Sequence, residues 1–138
     1  MTGSEATTDR NKTAVHAFFA ALGRGDRKAL GELCTPDLAW VVPAGAALHA
    51  GTHRGAERVF DTMLSAVGNT FVPGSQRVSL GLLVAESNAV MAEARVTAKG
   101  VDGRAYENVY VFVFEFEGEK IRELREHVDT RYAAEFFA

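Results

Sequence analysis

Apolar residues follow two rhythms along this chain, and the switch between them divides it. Between residues 9 and 22, Val15, Phe18, Phe19 and Leu22 recur at i, i+3, i+4 and i+7, which places them on one face of a helix. Gly23 and Gly25 end that helix, and Asp26 is set to cap a second, short one carrying Ala29, Leu30 and Leu33. Pro36 closes it, and "DLAWVV" follows as a brief strand ahead of Pro43. "PAGAALHAGTHRG" is a loop of small residues leading into a third helix over about residues 55–67, with Val59, Phe60, Met63, Leu64 and Val67 on one face.

From there the period falls to two. "RVSLGLLVA", "AVMAEARVTA", "ENVYVFVFEF" and "KIRELREHVD" read as four strands, separated by the turn-forming segments "ESN", "KGVDGR" and "EGE". Asp102–Gly103 supplies one hairpin turn. Three helices followed by an antiparallel meander predict an α+β fold, with the helices packed on one face of the sheet.

Alternation sorts each strand into two faces. In the last strand, Ile121, Glu123, Arg125, His127 and Asp129 form a largely polar face. The opposite face holds Arg122, Leu124, Glu126 and Val128, so Glu126 is the carboxylate expected to point inward. The preceding strand is apolar on both faces, with Val109, Val111 and Val113 on one and Asn108, Tyr110, Phe112, Phe114 and Phe116 on the other. Such a strand is covered on both sides. Helices cover one side, and a second copy of the chain is the simplest cover for the other, which predicts a homodimer through the outer sheet face. In "VMAEARVTA", Arg95 is the cation placed to meet Glu126 if their faces coincide; otherwise the Glu93–Arg95–Thr97 row faces solvent.

Composition narrows the functions available. The 138 residues, 47% hydrophobic and 24% charged, suit one domain with a core of its own; residues 1–8 read as a short flexible tail and 9–138 as the domain. A net charge of −3 disfavours nucleic acid, and no apolar run of about 18 residues is present to span a membrane. The opening "MTGSEATTDR" lacks the pattern of a secretory signal, and the single Cys34 reads as core filler in a reducing cytoplasm.

The short strand "AWVVP", the loop "HAGTHRG", a helix and then "NVYVFVFEFEGEKIRELREHVDT" together resemble the SnoaL-like family. That family lies in the superfamily of nuclear transport factor 2 and ketosteroid isomerase. The resemblance spans about residues 9–135. It implies a curved mixed or antiparallel sheet wrapped into a cone around about three N-terminal helices, enclosing an apolar pocket and usually dimeric. It also excludes some chemistry. Val42 stands where ketosteroid isomerase carries its general-base Asp. Limonene epoxide hydrolase sets an Arg between two Asp residues; here Arg95 matches the Arg and Glu126 replaces one acid, while Thr97 stands at the other.

The remaining candidates admit two readings each. Asp129 opens the helix-like "DTRYAAEFF" and is either a pocket acid or an N-cap. His127 is either a proton shuttle or a surface residue on its polar face. Tyr110 is either a donor to a ligand oxygen or a packed aromatic. Asn108, costly to bury unpaired, either orients a ligand or ties down a neighbour such as Glu126. His49 and His53 lie in a Gly-rich loop without acidic or Cys companions, so no metal is expected; His49 is placed at the cavity mouth. No Walker, Rossmann, Cys–x–x–Cys or nucleophile-elbow motif occurs, and no cofactor is expected.

The reading that follows is a cofactor-free acid–base enzyme on a small, largely apolar molecule, of isomerase, cyclase, dehydratase or hydrolase type. Glu126 is the acid or base, Arg95 and Tyr110 assist it, and Trp40, Val42, His49, Met63, Asn108 and Phe112 contact the ligand. The alternative is a non-catalytic protein that binds a hydrophobic ligand or serves as a dimeric scaffold.

Overall fold

The computed structural model of the chain describes residues 3–65 and 70–138. The helices are α1 (Gly3–Arg24), α2 (Arg27–Leu33), α3 (Ala56–Ser65) and α4 (Thr130–Phe137). The strands are β1 (Cys34–Val42), β2 (Gly51–Arg54), β3 (Arg77–Glu86), β4 (Ala89–Lys99), β5 (Ala105–Glu117) and β6 (Lys120–Val128). They form one mixed sheet in the order β2-β1-β6-β5-β4-β3, parallel only where β1 meets β6.

The α+β class follows from the periodicities, and the local signals hold at several joints. Asp26 caps α2 by accepting from the Ala29 backbone N–H at 3.0 Å. On β4, Val90, Ala92, Ala94, Val96 and Ala98 are buried while Met91, Glu93, Arg95 and Lys99 face outward. The two central alanines on that inner face are short, which lets α1 lie close. Phe18 and Phe19 of α1 then meet Phe114 and Phe112 of β5 at ring separations of 5.6 and 5.0 Å. Register shifts between Leu80 and Leu83 and between Glu115 and Phe116 mark bulges, the kind of defect that bends a sheet around its helices.

Three expectations need correction, and a fourth falls outside the described residues. The tail expected over residues 1–8 is helical from Gly3, with Met1 and Thr2 outside the described residues. Arg10 ties this extension down by donating to the Gly118 carbonyl at 3.2 Å, and Asn11 beside it is buried. β1 is longer than "DLAWVV", because Pro36 sits inside it where the β1–β6 ladder skips from Cys34 to Ala39 and needs no N–H. The small-residue loop contains the edge strand β2, too short and too polar to show a period. Finally, the end expected for the third helix lies outside the described residues, which resume at residue 70.

Candidate active site

Strand alternation turns Trp40 and Val42 of β1, Tyr110 and Phe112 of β5, and Leu124 and Glu126 of β6 toward the same interior space. With Met63 of α3 and Phe137 of α4 they line a cavity of about 190 Å³. An apolar cavity of roughly 150 Å³ holds benzene, so this one suits a single ring with a short substituent. The walls are mostly aromatic and aliphatic, and polar groups converge at two poles.

At the first pole, the Trp40 indole N–H donates to Glu126 Oε1 at 2.7 Å. The parallel β1–β6 register that pairs Trp40 with Leu124 makes this contact possible, since Glu126 is the next inward residue on β6. Burial pushes the Glu126 carboxyl up from 4.5 to about 6, opposed by the Trp40 hydrogen bond and by the nearby His53. His53 on the edge strand lies 5.0 Å from the Trp40 ring centre at 32°. Its Nε2 is 2.7 Å from the His49 carbonyl; a carbonyl can only accept, so Nε2 carries the hydrogen. That bond anchors the loop whose His49 backbone is left-handed, at φ 58°.

At the second pole, the Tyr110 and Tyr106 hydroxyls are 2.9 Å apart. Burial holds the Tyr110 phenol well above its ordinary range, and the Tyr106 hydrogen bond adds to this. Tyr110 stacks on Phe112 at 5.4 Å and 9°. Tyr106 is gripped by Phe71, Tyr132, Phe136 and Phe137, an aromatic cluster that α4 completes.

Glu126, Trp40, Val42, His49, Met63, Tyr110 and Phe112 all line the cavity, as expected from sequence. Arg95 does not. It lies on the outer face and bonds Glu107 at 2.5 Å, because Ala94 and Val96 take the inward positions of β4. The Arg95–Glu126 pair is therefore not formed, and the Arg and acid matched to the epoxide-hydrolase set lie on opposite faces of the sheet. His127 is exposed on that outer face, opposite Val111. Asp129 is an N-cap, accepting from the Tyr132 N–H at 3.0 Å. Asn108 is buried behind the cavity wall and ties down Tyr106 rather than Glu126. Cys34 is buried, and burial pushes its thiol up to about 12, which suits filler.

Tyr106 and the role of His53 escaped the sequence reading. Tyr106 opens the aromatic strand and could have been found as an inward neighbour of Asn108 by the same alternation. No sequence signal puts His53 beside Trp40, since that contact depends on β2. Among the described residues, no group of three or more His, Cys, Asp or Glu gathers as metal ligands would, and no helix is long and apolar enough to cross a membrane.

A family model described as a SnoaL-like domain matches residues 15–124. The chain belongs to the SnoaL-like family. Among solved structures it is similar to Bal32a from a soil-derived mobile gene cassette, at 28% identity and a TM-score of 0.84, over 96% of this chain and 99% of that one. An NTF2-like protein from Burkholderia xenovorans LB400 is similar at 28% identity and 0.78, over 95% and 98%. A LEH-like epoxide hydrolase from M. tuberculosis shares the fold at 19% identity and 0.73, over 94% and 90%. No curated protein matches the chain. The SnoaL-like fold thus holds at least one epoxide hydrolase, and the acid at the first pole must be read on its own geometry.

Proposed function

We propose that this SnoaL-like protein is a cofactor-independent acid–base enzyme acting on a small, largely apolar molecule of about one ring. The observation that carries the reading is Glu126: a carboxyl lining an apolar cavity, held by the Trp40 N–H, with its titration moved up to about 6. A group titrating close to neutrality can both take and return a proton within one turnover. Glu126 removes a proton from a substrate carbon or a bound water and returns it elsewhere on the product, with no net oxidation. Isomerisation, dehydration, cyclisation and hydration all meet that description. The Trp40 bond keeps the carboxyl aimed into the cavity in both protonation states.

The test is turnover on a substrate found by screening small carbonyls, alkenes and epoxides, with Glu126→Gln as the decisive variant. Loss of about 10²–10⁴-fold in kcat supports the reading, with a wild-type rate that climbs through about pH 6 if Glu126 is the base. Full activity in Glu126→Gln removes Glu126 from the chemistry and leaves a hydrophobic-ligand binder or scaffold.

The working unit in this reading is a homodimer formed through the outer sheet face in a reducing cytoplasm. Met91, Val109 and Val111 are exposed on the outer face of β4 and β5, at 50%, 44% and 37%, with Met91 diagonal to Val111, an apolar surface of the kind that marks an interface. Light scattering should give twice the chain mass, falling to one chain mass in Val111→Asp; a monomeric wild type overturns it.

A further inference from the structure

The polar atoms of the second pole can be counted hydrogen by hydrogen. Asn108 Oδ1 accepts from the Val109 backbone N–H at 3.0 Å, and Nδ2 donates to the Asp129 carbonyl at 3.2 Å. Those main-chain partners fix the amide orientation, because an N–H needs an acceptor and a carbonyl needs a donor. The second Nδ2 hydrogen then goes to the Tyr106 hydroxyl oxygen at 3.2 Å. Tyr106 and Tyr110 share one bond at 2.9 Å, which uses one phenolic hydrogen of the two. The other has no acceptor among the described residues, whichever tyrosine donates within the pair. Both rings line the cavity, Tyr106 being 2% exposed.

We propose that Tyr106 and Tyr110, set by Asn108, present one phenolic hydrogen to the cavity, and that the bound molecule carries a matching acceptor oxygen, as a ketone, aldehyde, ether or epoxide does. Asn108 and Tyr106 are positioning residues: the amide occupies a lone pair of Tyr106, and the aromatic cluster around Tyr106 fixes its ring. The ligand is then held at two ends, its oxygen by the phenols and its reacting hydrogen toward Glu126. On β5 and β6, Tyr110 faces Val128 and Phe112 faces Glu126, so the two poles are diagonal neighbours on one sheet face, about 7–8 Å apart at the backbone. That span suits a ring carrying its oxygen on the adjoining atom. This inference extends the acid–base reading, yet it concerns binding and does not require turnover.

Acetophenone and cumene make the probe pair: they are close in size, and cumene carries a methyl group and a hydrogen on the carbon where acetophenone carries its acceptor oxygen. Calorimetric titration of the wild-type protein should show acetophenone binding at least about tenfold tighter, since cumene leaves a buried donor unpaired. The infrared carbonyl stretch of bound acetophenone should lie below its position in hexane. Both signatures should vanish in the double variant Tyr106→Phe/Tyr110→Phe. Asn108→Asp replaces the amide donor with an acceptor, so both phenolic hydrogens are consumed inside the chain and the affinity ratio should fall toward one. Equal affinities in the wild type, binding of neither probe at millimolar concentration, or a ratio that survives the double variant overturns the proposal. Glu126→Gln should keep the ratio within about twofold; if it does while also keeping full turnover on the identified substrate, the acid–base reading fails and the donor assignment stands.

Discussion

The two faces of β5 invert the usual rule. Its outer face carries the exposed Val109 and Val111 beside a buried Val113, while its inner face carries Asn108 and Tyr110 ahead of Phe112, Phe114 and Phe116. Hydropathy alone would bury Val109 and Val111 and expose the amide. Their fates differ because each face is completed by different neighbours. The inner face meets α1 at one end and opens into the cavity at the other, where Asn108 and Tyr110 find hydrogen-bond partners. On the outer face Val109 and Val111 stay exposed, with charged pairs on either side: Arg95 with Glu107, and Arg125 with Glu115 and Glu123. A polar residue within an apolar strand thus signals a site only when its face has a roof.

The largest effect that would break this contrast is chemical. Glu126→Gln should abolish most turnover, by the two to four orders of magnitude given above, while outer-face substitutions leave it unchanged in any variant that stays folded and dimeric. Next comes packing. Phe114 is fully buried against Phe18 and Phe19, at 5.6 and 5.7 Å. Phe114→Ala should cost about 3–5 kcal/mol in denaturant unfolding; a cost near that of an exposed valine would mean that Phe114 does not sit in the core.

A smaller effect follows from the titration of Glu126, which sits at about 6 in the fold against 4.5 ordinarily. A raised folded value means that the native state binds the proton more tightly than the unfolded chain. The stabilisation from this group is complete below 4.5 and is lost as pH climbs through about 6. The difference corresponds to about 2 kcal/mol. Glu126→Gln should therefore raise unfolding stability by up to that amount at pH 8 and change little at pH 4; an equal gain at both pH values would show that the carboxyl is not desolvated. The smallest effect belongs to Arg95. Both members of its pair with Glu107 are more than half exposed, so Arg95→Ala should shift stability by less than about 1 kcal/mol and leave activity alone. A large loss of activity there would restore Arg95 to the site.

Much of the site was legible because strand alternation is a local rule. Tyr110 with Phe112 on β5, and Trp40 with Val42 on β1, share a face by parity, and Glu126 was turned inward by its apolar neighbours Leu124 and Val128 on β6. Parity within a strand does not say which face of its neighbour it matches, and Arg95 shows the cost. Its inward placement required β4 and β5 to align in the opposite phase from the one that pairs Arg95 with Val109. The same limit hid the role of His53, which reaches Trp40 through four residues of an edge strand with no apolar period of its own.

Taken alone, the sequence determined the α+β class, the Asp26 cap of α2, the glycine end of α1, the inward Leu124, Glu126 and Val128 of β6 and the SnoaL-like resemblance, since each rests on spacing over a few residues. The β5–β6 bulge, which turns Ile121 rather than Arg122 inward, does not. Tertiary structure decided which rows face one another. The parallel β1–β6 pairing joined Trp40 to Glu126 across 86 positions of chain, and α4 folding back closed the aromatic cluster around Tyr106. Both are contacts between segments far apart in the chain, where side-chain volume and hydrogen-bond completion, rather than local period, choose the partner.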